Sequence, residues 1–587
     1  MSSTQFDFQE LVEKASNGEI SLPEFQRDFK WKRRQIILLF DSLRSGFPLG
    51  SLLLAGAETF NQAKPFQGAE TTDTSKSKFF VLDGQQRLTA GIQLFKPNLE
   101  SQNTFYFIDI VKVQKLLKEW ADIEGKNVDD DSDIDEFGAK HLEADDSYLV
   151  GKVNVKDPWG FFVSRKLLFT PYLLKENDNR WDERKEEYLE KHPEDKKLIQ
   201  VIQSLFRSKK DYNPSLGAII VDEEDPRTLS RIFATLNSTG IPLSSFEITV
   251  SEMWGEGVRL LDDIEAISHL VENYDTLDPN KTNILQLALM LAGQNHKKAN
   301  LPKELSAPIW NKFKDDASEA LNKASEFLIE DCGCPVDHTL SFIPYEPALL
   351  PIAFVLWKSK ELKLDTTQTI KILQRYFFDS ALTTRYTEGV HNKQSQDAKH
   401  LILALKDKSP DIVFDNFDRL FSGAVSISRT GAPGKAALCF FNKQKPIDPL
   451  TGKNVYLGAQ NSNVHHIFPQ KLLGDWGIDK RKINGVTNLM LVSFDTNRRF
   501  TNHPPHVQID ICKNEYADCE SALNRQFITS DCVEILRRPN PSRADFDEFI
   551  GLRGKAIDAA LAAQLSINVK ESADDGTEEI DNEDISD

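Results

Sequence analysis

Two adjacent histidines close an apolar strand at Val464-His465-His466-Ile467-Phe468-Pro469, and no other stretch of this chain restricts its fold as tightly. An asparagine opens the next apolar run at Thr487-Asn488-Leu489. A second lies on the short polar segment Asp495-Thr496-Asn497-Arg498. For these side chains to meet, a strand, a loop, a second strand and a short polar segment must close on one another within a small module. Four of the eleven histidines fall between 465 and 506. Of these, His503 and His506 flank Pro504-Pro505 and read as loop residues. The plain alternative is that the pair is incidental, as a lone surface histidine usually is.

The order His, Asn, Asn resembles the site of HNH (ββα-metal) nucleases, and the resemblance implies a definite chemistry. Hydrolysis of a phosphodiester needs an activated water, a Lewis acid on the phosphate and an in-line geometry. An imidazole titrating near neutrality can take the proton from water, and His466 is the candidate general base. His465 and Asn497 are the candidate ligands of a divalent metal. Asn488 completes the catalytic set by pinning the loop between the strands through backbone hydrogen bonds, which holds the base in place.

At 587 residues the chain exceeds a single core, and two to four domains are expected. No run of eighteen apolar residues occurs, so no membrane partner is expected. Met1-Ser2-Ser3-Thr4-Gln5-Phe6-Asp7 has neither a basic n-region nor an apolar h-region, so no secretory signal is expected. Six cysteines in so long a chain do not make a disulfide framework. Cys332-Gly333-Cys334 is a candidate metal or redox pair, but no second pair at zinc-finger spacing accompanies it, and reduced thiols in a cytoplasm are the expectation. The net charge of −19 is unevenly placed: nine carboxylates and no Lys or Arg fall between Glu571 and Asp587. A second acidic block spans 129–136. Both blocks read as solvated segments; a sharper reading is that the tail mimics DNA.

Periodicity suggests a short helix within 1–20 carrying Phe6, Phe8, Leu11 and Val12 on one side, and another near 35–45 that ends at Gly46. Strands are expected at 49–54, 79–82 and 216–221, and helices from Leu88 and over 231–236. An exposed helix is expected within 180–200, and from 245 to 425 the pattern is helical. Gly, Pro and Lys rise around 429–460, where a boundary is expected. No internal repeat is visible.

A second constellation follows the strand at 79–82: Asp83-Gly84-Gln85-Gln86-Arg87, leading into a helix. Glycine allows a tight turn with exposed N–H groups, and a helix points its positive end at such a turn. Arg87 offers a planar phosphate clamp. Asp83 suits a cation or a polarised water. Gln26 and Arg27 form a comparable polar cluster. These groups suit a nucleotide phosphate or a DNA phosphate, or else an Asp83–Arg87 ion pair that merely fixes a turn.

Leu22-Pro23-Glu24-Phe25-Gln26-Arg27, Gly46-Phe47-Pro48-Leu49-Gly50-Ser51, Val81-Leu82-Asp83-Gly84-Gln85-Gln86-Arg87-Leu88-Thr89 and Phe233-Ala234-Thr235-Leu236-Asn237-Ser238-Thr239-Gly240 together resemble the N-terminal domain of GmrSD-type proteins. The His466, Asn488 and Asn497 module resembles their C-terminal HNH domain. The expected fold is α+β and multidomain: a ParB/sulfiredoxin-like nucleotide domain over 1–245, a helical middle domain over 246–428, a ββα-metal nuclease over 429–565 and an acidic tail over 566–587. The resemblance implies an NTP-regulated, divalent-metal-dependent DNA endonuclease of prokaryotic anti-phage defence, of the modification-dependent (type IV) restriction kind. It would act in the cytoplasm on double-stranded, modified phage DNA.

Carried over residue by residue, Asp83, Gln86 and Arg87 serve a nucleoside triphosphate, with Arg27 near them and Asp83 as the catalytic carboxylate. The position before the catalytic histidine is often acidic in HNH sites, whereas here it is His465. A neutral imidazole suits Mn, Ni or Zn better than Mg, so the metal stays open among these four. Arg498 and Arg499 are expected on DNA phosphates. One active centre cuts one strand, so a double-strand break needs a homodimer or two visits. The rival readings are a nucleotide-dependent DNA-binding regulator with a degenerate HNH module, and an NTPase acting on nucleotide pools.

Overall fold

The computed structural model describes residues 2–565 except 45–46, 57–62, 101, 103, 128–136, 138–147, 154, 157, 159–165, 174–177, 197–214, 222–224, 226–227, 230–231, 233–234, 236–242, 336–341, 408–419 and 423–425. Both acidic blocks and most of the Phe233–Gly240 motif lie outside the described residues. The fold is of mixed α and β type, in two compact units, Met1–Leu261 and Asp262–Asp587.

The first unit is organised by a six-stranded mixed sheet of order β1-β9-β3-β5-β2-β4. Its strands are β1 (Ser2–Asp7), β2 (Ile20–Pro23), β3 (Ser51–Gly56), β4 (Ala63–Lys64), β5 (Phe79–Asp83) and β9 (Ser215–Val221). A second sheet, β7-β6-β8, is formed by β6 (Thr104–Asp109), β7 (Leu149–Val153) and β8 (Leu167–Phe169). Leu216 and Ala218 of β9 are buried while Ser215 and Gly217 are exposed, the period-two pattern of a half-covered strand.

The helix expected within 1–20 is shorter than its apolar pattern implied. Residues 2–7 pair antiparallel with β9, placing Phe6 opposite Leu216, and the helix proper is Phe8–Ser16. Gln5-Phe6-Asp7-Phe8 alternates polar and apolar residues, a pattern that serves a strand wherever a sheet edge is open to it. The helix after β5 also starts earlier than expected, at Gln85 rather than Leu88, so both motif glutamines and Arg87 lie in its first turn.

Helices dominate the second unit: Asn283–Leu291, Ala307–Glu326, Leu349–Glu361, Thr366–Leu382 and Val390–Asp407. The Ala307–Glu326 helix runs into a π-helical turn, Phe327–Asp331. Cys332 and Cys334 lie just beyond it. All six cysteines are unpaired and buried. Burial pushes the Cys332 and Cys334 thiols well up, so they pack as small apolar groups. Within the stretch 429–460 the chain forms another helix, Ala432–Lys443.

The C-terminal part of this unit is built on β10 (Ser462–His466) and β11 (Leu489–Ser493), paired antiparallel with His465 opposite Met490 and His466 opposite Leu489. Short helices and the long Arg543–Leu565 helix surround the pair. Phe468 sits in its core against Phe546, Phe549 and Trp476. Among the described residues, no helix is long and apolar enough to cross a membrane.

Candidate active site in the C-terminal module

The two histidines stand where β10 gives way to a loop, and each has its own partners. His465 is buried and turns toward the Phe494–Phe500 helix. Its Nδ1 lies 2.8 Å from Asn497 Oδ1, and its Nε2 lies 3.2 Å from Gln508 Oε1. His466 is half-buried and turns toward the 470–484 segment. Its Nε2 lies 3.0 Å from Asn484 Oδ1 and 3.1 Å from Gln470 Nε2. Asn484 Nδ2 donates to the Lys480 carbonyl at 2.9 Å, which turns its oxygen toward His466. Nε2 of His466 thus meets one acceptor, Asn484 Oδ1, and one donor, the Gln470 amide. Burial pushes the His466 pKa down against the Asn484 hydrogen bond, and Arg429 and His465 push it the same way as burial.

Asn488 is fully buried and touches only backbone. Its Oδ1 accepts from the Phe468 N–H at 2.9 Å, and its Nδ2 donates to the carbonyls of Phe468 at 3.2 Å and Ile483 at 3.1 Å. Asn488 clasps the chain on both sides of the loop that leaves β10.

The junction of β11 with the next helix rests on Asp448, which the sequence did not single out. Its buried carboxylate accepts from Ser493 N–H at 2.7 Å, from the Thr496 hydroxyl at 2.8 Å and from the N–H groups of Leu450 and Thr451 at 3.0 and 2.9 Å. Burial alone raises such a carboxyl, but these donors outweigh it and hold Asp448 below the usual carboxylate range. Ser493 caps the helix by accepting from Thr496 N–H. This cap, together with the Thr496 bond to Asp448, sets the turn from which Asn497 projects.

The donor set at His465 and Asn497 fits a divalent ion. Their 2.8 Å separation is close to the cis edge, about 3 Å, of an octahedron with bonds near 2.1 Å. One imidazole nitrogen and one amide oxygen form a mixed set that suits Mn, Ni or Zn. No cluster of three or more His, Cys, Asp or Glu occurs among the described residues. A metal held here would thus keep most of its coordination open to water and phosphate. Arg498 is exposed, while Arg499 is exposed and paired to Glu515 at 2.7 Å. Lys471, Lys480 and Arg481 are also exposed. Between 429 and 500 the chain holds eleven Lys and Arg against four Asp and Glu, in a protein of net charge −19. That local excess is a signal that the motif alone did not give.

The Asp-Gly-Gln-Gln-Arg turn of the first unit is tied to the chain around it. Buried Gln26 donates to the carbonyls of Val81 and Leu82 at 3.3 and 3.4 Å. Gln85 donates to the Arg27 carbonyl at 2.6 Å, and Gln86 accepts from the N–H groups of Lys30 and Trp31 at 2.8 and 3.1 Å. Arg87 donates to the carbonyls of Leu49 and Ser51, and lies 3.4 Å from Asp83. Burial pushes the Arg87 guanidinium down, against the attraction of Asp83. Arg27 lies 4.0 Å from Glu247. Gly84 has φ of +104°, and a Cβ there would meet Leu52 Cδ2 at 2.0 Å. The helix that starts at Gln85 has no side-chain cap. The Asp83 side chain of this turn is partly exposed.

Matched to known proteins, both parts of the chain are domains of one class, the restriction endonucleases. Residues 8–254 match the N-terminal domain of the GmrSD restriction endonuclease, and residues 414–535 match the C-terminal domain of the same enzymes. The chain belongs to the GmrSD restriction endonuclease family. It is also 26% identical to an uncharacterized protein of Methanocaldococcus jannaschii, MJ0686, over 604 residues that cover 93% of this chain and 97% of that protein.

Proposed function

We propose that the protein is a divalent-metal-dependent DNA endonuclease with an HNH centre, regulated by a nucleoside triphosphate at a ParB-like first domain and directed in the cytoplasm at modified phage DNA. The observation that carries this reading is the approach of His465 Nδ1 to Asn497 Oδ1 at the end of the strand that also presents His466. A divalent ion bound there supplies Lewis-acid polarisation of the phosphate and neutralises charge on the leaving oxygen.

The protein's own groups do the remainder. Asn484 fixes the His466 ring, which takes the proton of the attacking water. Asn488 holds the strand end rigid, so the base keeps its place while the phosphate is positioned. Arg498 and the exposed Lys480 and Arg481 attract the DNA backbone. In the first unit the Arg87 guanidinium is engaged by carbonyls, so a nucleotide phosphate would be met by the uncapped helix amides and by a cation at Asp83.

The test is cleavage of modified against unmodified phage DNA, with Mg or Mn, with and without each NTP. Strand breaks in the modified DNA that vanish in His466→Ala are expected. If wild type and His466→Ala leave both DNAs equally intact under every condition, the nuclease reading fails and the regulator reading stands.

A further inference from the structure

Gln508 stands in the Pro505–Glu515 helix, buried behind His465 and outside the motifs read from the sequence. Its amide orientation is fixed by two bonds that only an NH₂ group can make, to the carbonyls of Ile467 at 3.1 Å and His503 at 2.8 Å. Its oxygen must therefore face His465 Nε2, 3.2 Å away. An amide oxygen only accepts, so Nε2 is the protonated nitrogen of the ring, and a neutral imidazole then has a bare lone pair on Nδ1. That lone pair faces Asn497 Oδ1 at 2.8 Å. A cation lying against both atoms would bring these two acceptors together without repulsion.

We propose that Gln508 is the positioning residue that sets the His465 tautomer and so makes His465 Nδ1 a metal ligand. The inference rests on the metal reading given above and adds the residue that enforces it. The arrangement follows the general habit of metal-binding histidines, whose second nitrogen donates to an oxygen that orients the ring. Here the oxygen is a neutral amide held by backbone carbonyls on either side of the site, one in the strand-exit loop and one before the helix. The same side chain thereby joins the loop after β10 to the segment after Asn497, so both ligands are braced through one group.

The two roles of Gln508 separate by substitution. Gln508→Glu keeps an acceptor for Nε2–H and loses both donors to the carbonyls. Gln508→Met fills the space and loses the acceptor and the donors alike. Mn²⁺ binding to the full chain is measured by titration calorimetry, alongside the thermal midpoint and with His465→Ala as reference.

The expected result is that Gln508→Met weakens Mn²⁺ binding about 10- to 100-fold, while Gln508→Glu stays within about threefold of wild type, although both lower the midpoint. Equal weakening in the two variants, or wild-type affinity in Gln508→Met, overturns the proposal and leaves Gln508 as a brace alone. If wild type and His465→Ala bind Mn²⁺ with the same affinity, the metal reading itself is overturned, and the role of Gln508 with it.

Discussion

The side chain of Gln526 accepts from the Leu491 N–H at 2.7 Å and donates back to the Leu491 carbonyl at 2.9 Å. A two-stranded sheet leaves one edge of each strand without partners, and on β11 a single amide acts as one residue of a third strand. Fully buried Arg553 then donates to the Gln526 carbonyl at 3.0 Å and to the Thr487 carbonyl at 2.8 Å. Gln526→Leu keeps the volume and strands the Leu491 pair. It is expected to destabilise the second unit by about 3 kcal/mol, read as a lower denaturant midpoint at unchanged slope. A midpoint equal to wild type would mean the edge needs no such partner.

Asn488→Ala removes three bonds at a fully buried site and frees the chain that leaves β10. A loss of roughly 3 kcal/mol is expected, together with a fall in cleavage that the same variant does not show in DNA affinity. Weakened DNA binding of the same size as the rate loss would argue that Asn488 touches substrate.

Arg87→Lys loses the planar fork that reaches the Leu49 and Ser51 carbonyls together. The first unit should lose about 1–2 kcal/mol. Asp83→Ala, at an exposed turn, should leave the thermal midpoint in place and reduce phosphate release from NTP. The opposite pattern, a stable Arg87→Lys protein with no NTP turnover, would restore the guanidinium to a role on phosphate.

Acid should loosen the second unit before its carboxylates titrate. Burial holds His296 and His391 below the usual imidazole pKa, against the Gln394 hydrogen bond in each case. A base with a depressed folded pKa takes up protons in the unfolded chain first. Its contribution is therefore present in full above the unfolded value, near 6.5, and is lost as pH falls below it toward the folded value. The thermal midpoint should drop between pH 7 and pH 5, and His391→Gln should flatten that drop. An unchanged pH slope in the variant excludes His391 as a contributor.

Arg498 and Arg499 are neighbours with different surroundings. Arg499 is tied to Glu515, whereas Arg498 is exposed with no ion pair among the described residues. If Arg498 alone reaches a phosphate, Arg498→Ala lowers the slope of log affinity against log salt by about one, and Arg499→Ala changes it less. Equal slopes for both variants would place the two arginines on the same footing.

Parts of the site were legible because they obey local rules. The β10 strand and its histidines stand in an apolar run, and Asn488 and Asn497 fall where a following strand and helix begin. Asp448, Asn484, Gln508 and Gln526 were not legible. Each is a single polar residue whose partners are backbone groups or rings of other segments, and no periodicity marks such a residue. The Phe6 stretch was misread because its alternation serves a helix start and a sheet edge alike, and the open edge of β9 decided it. The Asp-Gly-Gln-Gln-Arg turn was recognised, but its side chains proved to bind the protein's own backbone, which spacing could not reveal.

Arg553 and Asp558 lie in the Arg543–Leu565 helix, past residue 535 where the recognisable C-terminal domain ends. One donates to the Thr487 carbonyl just before β11, and the other ties down Phe421 and Ser422 through their N–H groups. Heredity must therefore carry this site as a longer piece than its signature. A recombination that moved only the recognisable segment into a new chain would deliver histidines and asparagines without the scaffold that keeps them apart.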